Sequence, residues 1–528
     1  MKYVIDEVGD PFRSTPQTRL WGDHLQLYML ERLGQPTREA LWRLHYSNQQ
    51  LLKTQGAFNS LGRRLGTDLV QSYFTYSYTH LPIFQRHDLI TLHESGAGLS
   101  PLVANAVYFI GTLHCSSSTI DALGFGTRYM ASTTFYRRAK ALYDADCESD
   151  GLANVQAAIL LSHWWGGPMD PKDTWHWLGI ASGLAQSLGM HRSKSYACLQ
   201  PHRRTLWRRI WWVLYINDIH HAAVFGRPPH IHPSFCDVGP LSHADFDDDD
   251  GSRPNESTIY LIYLAELAQR VAGCLFAKFL PDDRSAERAS HYRKLHDFKQ
   301  TLSSQCPISC SAISADKGFW PSMLHLYHCD YQIVFHRMLS DEDDSSTTFT
   351  AAGNVNRLLE DLLASGLLAR APFMTFPAIF ASILVNIIHI RKGEAHIKTL
   401  AESRARFSMR VLADFEDAWP IVIWTRHLLE RLLSTSSSEQ GDEPWESAVQ
   451  PQATRTSPRA LRDANSRIRL HGPAGSPTER NQPQPSPIVA DAGTETDFAA
   501  MPLMFPFDDL AEGAGLLGTE LWNLDWHG

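Results

Sequence analysis

The chain has 528 residues, 43% of them hydrophobic and 20% charged, and its 48 basic and 57 acidic side chains give a formal net charge of −9. This composition suits a globular protein with at least one large core. It excludes a chain that grips nucleic acid through a broad basic surface, while leaving room for a local basic patch.

The opening stretch, MKYVIDEVGDPF, lacks the charged-then-apolar layout of a secretion signal. Residues 1–59 read as a partly helical lead segment. From residue 60 to about 433 the apolar residues recur at helical spacing. Thr67 and Asp68, after Gly66, are expected to cap a helix carrying Leu69, Tyr73 and Tyr76. Leu152, Val155 and Ile159 step by three and four, and so do Leu178, Ala181, Ala185 and Leu188. Asp170-Pro171-Lys172-Asp173 forms a turn that starts the helix holding Trp175, with Gly189 as its stop. A long helix begins near Arg203, shows an apolar face of Leu206, Ile210 and Val213, and is broken by Gly226-Arg227-Pro228-Pro229. Its arginines 203, 204, 208 and 209 are expected to flank that face and snorkel. Residues 371–390 are apolar but contain Pro372, Pro377, Asn386 and His389, which favours a buried core helix over a membrane span. The fold expected for residues 60–433 is all-α, with more than a dozen helices.

Composition changes after this zone. Residues 434–496 are rich in Ser, Pro, Gln, Gly and Arg with few large apolars, which predicts a disordered linker. Residues 497–528 hold six acidic residues and no Lys or Arg. Phe505, Phe507, Leu517, Leu521, Trp522, Leu524 and Trp526 sit among those acids. Acids interleaved with bulky apolars characterise activation segments that bind a partner groove, so these seven are the candidate activating residues.

Catalytic signatures are missing. There is no G-x-S-x-G elbow and no phosphate loop, and His93-Glu94 is not followed by the second histidine of a zincin. The run Asp247–Asp250 fails the spacing of a calcium loop and reads as a solvated loop. Histidines 220, 221, 230 and 232 cluster around a helix end, but vicinal histidines point about 100° apart. They read as solvated or capping rather than as metal ligands. The eight cysteines are scattered, with Cys306 and Cys310 the one close pair, so they read as thiols in a reducing compartment and not as a zinc cluster. No catalytic residue and no metal ligand is assigned.

Certain stretches resemble a known family. SYFTYSYTHLPIFQRHDL, residues 72–89, is similar to the opening of the fungal transcription factor regulatory domain, the middle homology region of binuclear zinc-cluster regulators. Tyr73, Phe74 and Pro82 hold motif places there. Residues 135–191 resemble the cutinase transcription factor branch, with Trp164, Trp165, Trp175, Trp177, His191 and Arg192 as matching positions. The similarity continues through LWRRIWWVLYINDIHHAAVFGRPPHI, where Trp211, Trp212, Asp218, Arg227 and Pro228 match. Tyr327, His336, Arg337, Trp419 and Pro420 fit later helices. These residues look like packing, turn and ion-pair positions, and Asp218 with Arg227 is one candidate pair.

The resemblance implies a nuclear transcription regulator and no enzymatic role. It implies control of lipid or secondary-metabolite genes, with a helical body that tunes activation through a metabolite or partner. Coactivators or the transcription machinery, a homo- or heterodimer partner and a small-molecule effector are the implied partners, with no membrane. Met1-Lys2-Tyr3-Val4-Ile5 looks like the lead segment that follows the family's zinc cluster. Zinc is therefore expected only from a cluster encoded upstream, and DNA contact only indirectly or through that module. The alternative is a DNA-free partner or dominant-negative regulator that heterodimerises with a complete zinc-cluster factor.

Overall fold

The computed structural model describes residues 50–438, apart from 96–98, 168–169, 247–255, 282–283, 309–317, 340–344 and 420. The lead segment before residue 50, the Asp247–Asp250 run and the acidic tail with its seven candidate activating residues lie outside the described residues. The described residues are all-α, with no strand among them.

The first half comprises α1 (Arg63–Ser72), a π turn (Tyr73–Ser77), α2 (Arg86–Ser95), α3 (Pro101–Thr112), α4 (Ser117–Leu123), α5 (Arg128–Asp144), α6 (Gly151–Leu161), α7 (Thr174–Ser187) and the short α8 (Ser193–Tyr196). The long α9 (Pro201–Phe225) follows. The second half comprises α10 (Glu256–Ala277), α11 (Ser285–Gln305), α12 (Phe319–Leu339), α13 (Ser345–Ala364), α14 (Thr375–Lys392), α15 (Ala395–Ala413) and α16 (Ile421–Ser438).

Local chemistry sets several of these boundaries. Asp173 Oδ1 accepts from the His176 N–H at 3.0 Å, and Asp150 Oδ1 accepts from the Leu152 N–H at 3.1 Å, each satisfying an otherwise orphaned helix donor. Pro201 sits in the first turn of α9, where its missing N–H costs nothing. Gly226 ends α9 in the left-handed region at φ 65°, a conformation that a side chain disfavours. The expected cap at Thr67 and Asp68 does not form. α1 starts earlier, at Arg63, and runs through Gly66, because Gly66, Leu69 and Val70 are buried and α1 packs on α3. Tertiary burial outweighs the local capping signal there.

α9 organises the molecule. Its 25 residues span about 37 Å at 1.5 Å per residue. It packs on α7 of the first half and on α10 and α12 of the second. From Arg209 to Val224 only Asn217 escapes full burial, so this stretch is a central helix buried all round and not an amphipathic one. One continuous hydrophobic core runs through both halves, from Leu52 to Leu432, with Trp177 and Trp211 among its largest fully buried side chains. α14 is buried along most of its length, as expected of residues 371–390. Thr258–Ala277, within α10, is long and apolar enough to cross a membrane by composition, and it packs here against α9, α11 and α12.

Candidate functional site

The C-terminal end of α9 is held by a dense polar clamp. Asp218, 1% exposed, accepts three hydrogen bonds: the His230 N–H at 3.0 Å and His230 Nδ1 at 2.8 Å on Oδ1, and the Ile231 N–H at 2.8 Å on Oδ2. The carboxylate thereby ties the chain after the Gly226 turn back onto its own helix. His230 lies against Gly179 of α7, where even a Cβ would come within 2.8 Å of its Nε2. The expected pairing of Asp218 with Arg227 is not formed. Arg227 instead pairs with Asp173, the residue that caps α7, and its guanidinium lies 5.6 Å from the Trp175 ring centroid. Trp175 Nε1–H donates to the Pro228 carbonyl at 3.1 Å. The turn thus closes α9 against α7 through Asp173, Trp175, Arg227, Pro228 and His230.

The other motif residues have packing roles around this clamp. Tyr73 is fully buried, its hydroxyl donates to the Leu81 carbonyl at 2.6 Å, and its ring packs edge-on against Phe74 at 5.2 Å. Pro82 is buried in the turn that follows. Trp164 stacks on Tyr136 at 4.2 Å and donates to Asp170 Oδ2 at 2.9 Å, while Trp165 is partly buried against the core. Trp177 Nε1–H donates to the Tyr136 hydroxyl at 3.1 Å. His191 packs 6.3 Å from Trp211, Arg192 pairs with Asp237 at 3.6 Å, and Trp212 donates to the Gly239 carbonyl at 2.9 Å. Tyr327 and His336 are buried on α12, and His336 Nδ1 lies 2.9 Å from the Tyr292 hydroxyl.

Beside the clamp lies a small cavity of about 40 Å³, room for a few water molecules or a chemical group of that size. Its polar lining residues are His80 after the π turn, Ser162 and His163 after α6, Thr174 at the start of α7, and Asn217, His220 and His221 of α9. Its apolar lining residues are Phe225 and Pro372, Phe373, Met374 and Pro377 around the start of α14. His220 and His221 are thus buried, at 7% and 6% exposure, and are not the solvated or capping residues that their spacing suggested. The reason is that α9 has no solvent face at this level. His230 does cap the turn, and His232 Nδ1 accepts from the Ser234 N–H at 3.2 Å.

Burial holds these imidazoles neutral. The pKa of His220 is pushed down to about 3 and that of His163 to about 4, both chiefly by desolvation. Desolvation, with help from His163 and His114, also lowers His80. Desolvation, then Arg227, His220 and His230, lowers His221. His220 Nδ1 is 2.7 Å from the Tyr331 hydroxyl, and His163 Nδ1 donates to the Ile159 carbonyl at 3.1 Å, which leaves Nε2 of His163 as an acceptor. Two ring nitrogens, His80 Nδ1 and His221 Nε2, have no hydrogen-bond partner among the described residues.

Next in sequence to Tyr331, Asp330 of α12 is fully buried, with neither carboxyl oxygen hydrogen-bonded. Desolvation raises its pKa to about 8, so it stays protonated at neutral pH. Sequence reasoning missed His80, His163 and Asp330 as site residues. They come from three segments separated by up to 250 positions, and no local spacing joins them.

Among the described residues no group of three or more His, Cys, Asp or Glu side chains converges to hold a metal. Cys306 is buried, and Cys310 lies outside the described residues. The arginines of α9 serve the fold: Arg209, 2% exposed, donates to Gln85 Oε1 at 2.8 Å and to the Tyr78 hydroxyl at 3.3 Å. Arg208 pairs with Asp245 at 2.9 Å, while Arg203 is exposed.

Comparison with known proteins gives a consistent result. The chain is similar to cutinase transcription factor 1 alpha of Fusarium vanettenii, at 26% identity over 435 residues, 78% of this chain and 48% of that protein. It is 32% identical to cutinase transcription factor 1 beta of the same organism over 200 residues, 37% of this chain and 23% of that protein. It is 26% identical to the acetamidase regulatory protein of Aspergillus fumigatus over 365 residues, 66% of this chain and 46% of that protein. The chain spans at most about half the length of these curated relatives. No solved structure matches it. The family and these relatives are transcription factors and not enzymes. The model of the fungal specific transcription factor domain matches residues 70–360, more than half of the chain and both sides of α9, and the chain belongs to that family.

Proposed function

We propose that this protein is a pathway-specific transcription regulator acting in the nucleus. Its helical body is the regulatory, effector-sensing part, and residues 497–528 are the activating part. The observation that carries the reading is the family match across residues 70–360. The relatives' names, cutinase transcription factor and acetamidase regulatory protein, support a regulator of metabolic genes, and lipid or secondary-metabolite genes are the proposed targets. Coactivators or the transcription machinery are the partners of the tail, whose acids keep its aromatic and leucine side chains solvated until a groove accepts them. DNA is reached through a module or partner other than the helical body.

The test is a fusion of residues 497–528 to an unrelated DNA-binding domain in a reporter strain. Activation that is lost when Leu517, Leu521, Trp522 and Leu524 are changed to Ala supports the reading. Reporter output at background from the unaltered fusion overturns the role given to the tail.

A further inference from the structure

We infer that an exposed aromatic patch at the end of α10, made by His232, Phe235, Phe276 and Phe279, is the docking surface for the chain's own acidic tail, residues 497–528. The inference deepens the reading of that tail as the activating part and rests on it only for its biological consequence: a docked tail is withheld from its coactivators.

The patch is built by two segments that meet only in three dimensions. One is the short 3-10 turn Pro233–Phe235, which follows the clamp at the end of α9. The other is the turn that closes α10, where the Phe279 N–H donates to the Phe276 carbonyl at 3.2 Å. The His232 ring joins them, its centroid 5.4 Å from that of Phe235 and 4.6 Å from that of Phe276. Phe279 is 80% exposed and Phe235 72%, and no other large hydrophobic side chain among the described residues exceeds 57%. Apolar residues exposed singly are ordinary, but phenyl rings gathered at one place and left in water mark a surface that gains by being covered. Aromatic rings are also the side chains that contribute most to binding when a partner buries them.

Charge selects the occupant. Lys278 is exposed between Phe276 and Phe279 in sequence and has no ion pair among the described residues. Arg288 Nη1 donates to the Leu280 carbonyl at 3.2 Å, which brings a second cation to the same turn. The described acids beside the two segments are engaged, Asp237 with Arg192 and the Ser193 N–H, and Glu287 with Arg284. The patch therefore offers rings and positive charge together. The tail offers the complement. It has six acids and no Lys or Arg, and its Phe507 is followed directly by Asp508 and Asp509. Apolar rings meet phenyl rings while the adjacent carboxylates meet Lys278, a pairing that a basic segment lacks.

Reach is not limiting. The described residues end at 438, and the chain from there to residue 497 extends up to about 190 Å at roughly 3.3 Å per residue. A compact body of this size has a radius of gyration of only about 20 Å. A segment on the same chain also meets the patch at a high effective concentration, so modest contacts suffice.

The experiment is hydrogen–deuterium exchange on the full chain, with a synthetic peptide of residues 497–528 as the reference for an undocked tail. Tail amides in the full chain are expected to exchange at least tenfold more slowly than in the peptide. In the double variant Phe235→Ser, Phe279→Ser they are expected to match the peptide. Both side chains are exposed, and an unchanged melting transition checks that the variant folds. Lys278→Glu is expected to remove at least half of the protection, and raised salt to act in the same direction. Wild-type tail amides that exchange as fast as the peptide overturn the inference, and the wild-type comparison needs no variant. Full protection retained in the double variant or in Lys278→Glu overturns it as well. Patch protection that rises with protein concentration assigns this face to a second copy of the chain and likewise overturns it. The reporter fusion carries the tail without the helical body, so docking and activation fail separately.

Discussion

Two regions, the end of α9 and the middle of α12, each bury a carboxyl group, and they treat it in opposite ways. At the end of α9, Asp218 is 1% exposed and surrounded by donors, two backbone N–H groups and an imidazole. In the middle of α12, Asp330 is fully buried and has none. Asp218 closes a turn, and its charge is met by hydrogen bonds as fast as water is removed. Asp330 lies among Tyr327, Tyr331 and Cys329 in a helix packed on several sides, and it escapes the desolvation cost by keeping its proton. Burial alone therefore does not say what an acidic residue is for. The donors around it do.

The largest effect that tests this contrast is acid. His80, His114, His163, His220 and His221 all have folded pKa values held below the ordinary 6.5 by desolvation. Below pH 6.5 the unfolded chain binds protons that the folded chain refuses, so stability falls as pH falls. Each ring contributes up to about 1.4 kcal/mol per pH unit, down to its folded pKa. Urea unfolding between pH 7 and 5 is expected to lose several kcal/mol, and a flat profile there means that these rings are not buried neutral.

Next in size is Asp218→Ala, which strands the N–H groups of His230 and Ile231. Loss of a buried, hydrogen-bonded charge of this kind costs about 3–5 kcal/mol, and the midpoint of chemical denaturation reads it. Asp218→Asn keeps an acceptor and is expected to lose less.

Asp330→Asn acts in the opposite sense. Asp330 has its folded pKa raised to about 8 from the ordinary 3.8, so between those values the folded state holds a proton that the unfolded state has released. Stability from this group is whole below 3.8 and is lost as pH rises toward 8, by about 1.4 kcal/mol per unit. The asparagine variant is expected to be the more stable protein at pH 8, with the Asp330 part of the decline between pH 3.8 and 8 removed from its unfolding profile. The smallest effect is that of Arg227→Ala. Its pair with Asp173 is partly exposed, so about 1 kcal/mol or less is expected in a thermal melt.

The sequence was most legible where chemistry is local. Asp173 as a helix start and Gly226 as a helix stop both act within one turn of chain, and both are where spacing puts them. The all-α class was equally plain from apolar periodicity. Partner choice was not legible. Arg227 lies nine positions from Asp218 but pairs with Asp173, 54 positions away, because α7 and not α9 faces the turn. The histidines of α9 read as solvated because one helix, seen alone, does not reveal that α12 and the start of α14 cover its far side. For the same reason nothing in the sequence sets Asp330 apart from other helical acids. Its environment is made by residues on other helices.

The π turn at Tyr73–Ser77 has a consequence for how this chain tolerates changes of length. The Tyr78 N–H donates to the carbonyl of Tyr73, five residues back, at 2.9 Å, so one residue more than an α turn needs is threaded into the bend. Exposed Thr75 lies on the outside of that bend. Its deletion would let the turn close as an ordinary α turn while the residues on either side keep nearly their present phase, because the wide turn carries five residues through about the rotation that four take in an α-helix. The bend has thus already absorbed one residue of length, and loss of Thr75 is the change of length that would leave Tyr78 beside Arg209 and His80 at the cavity.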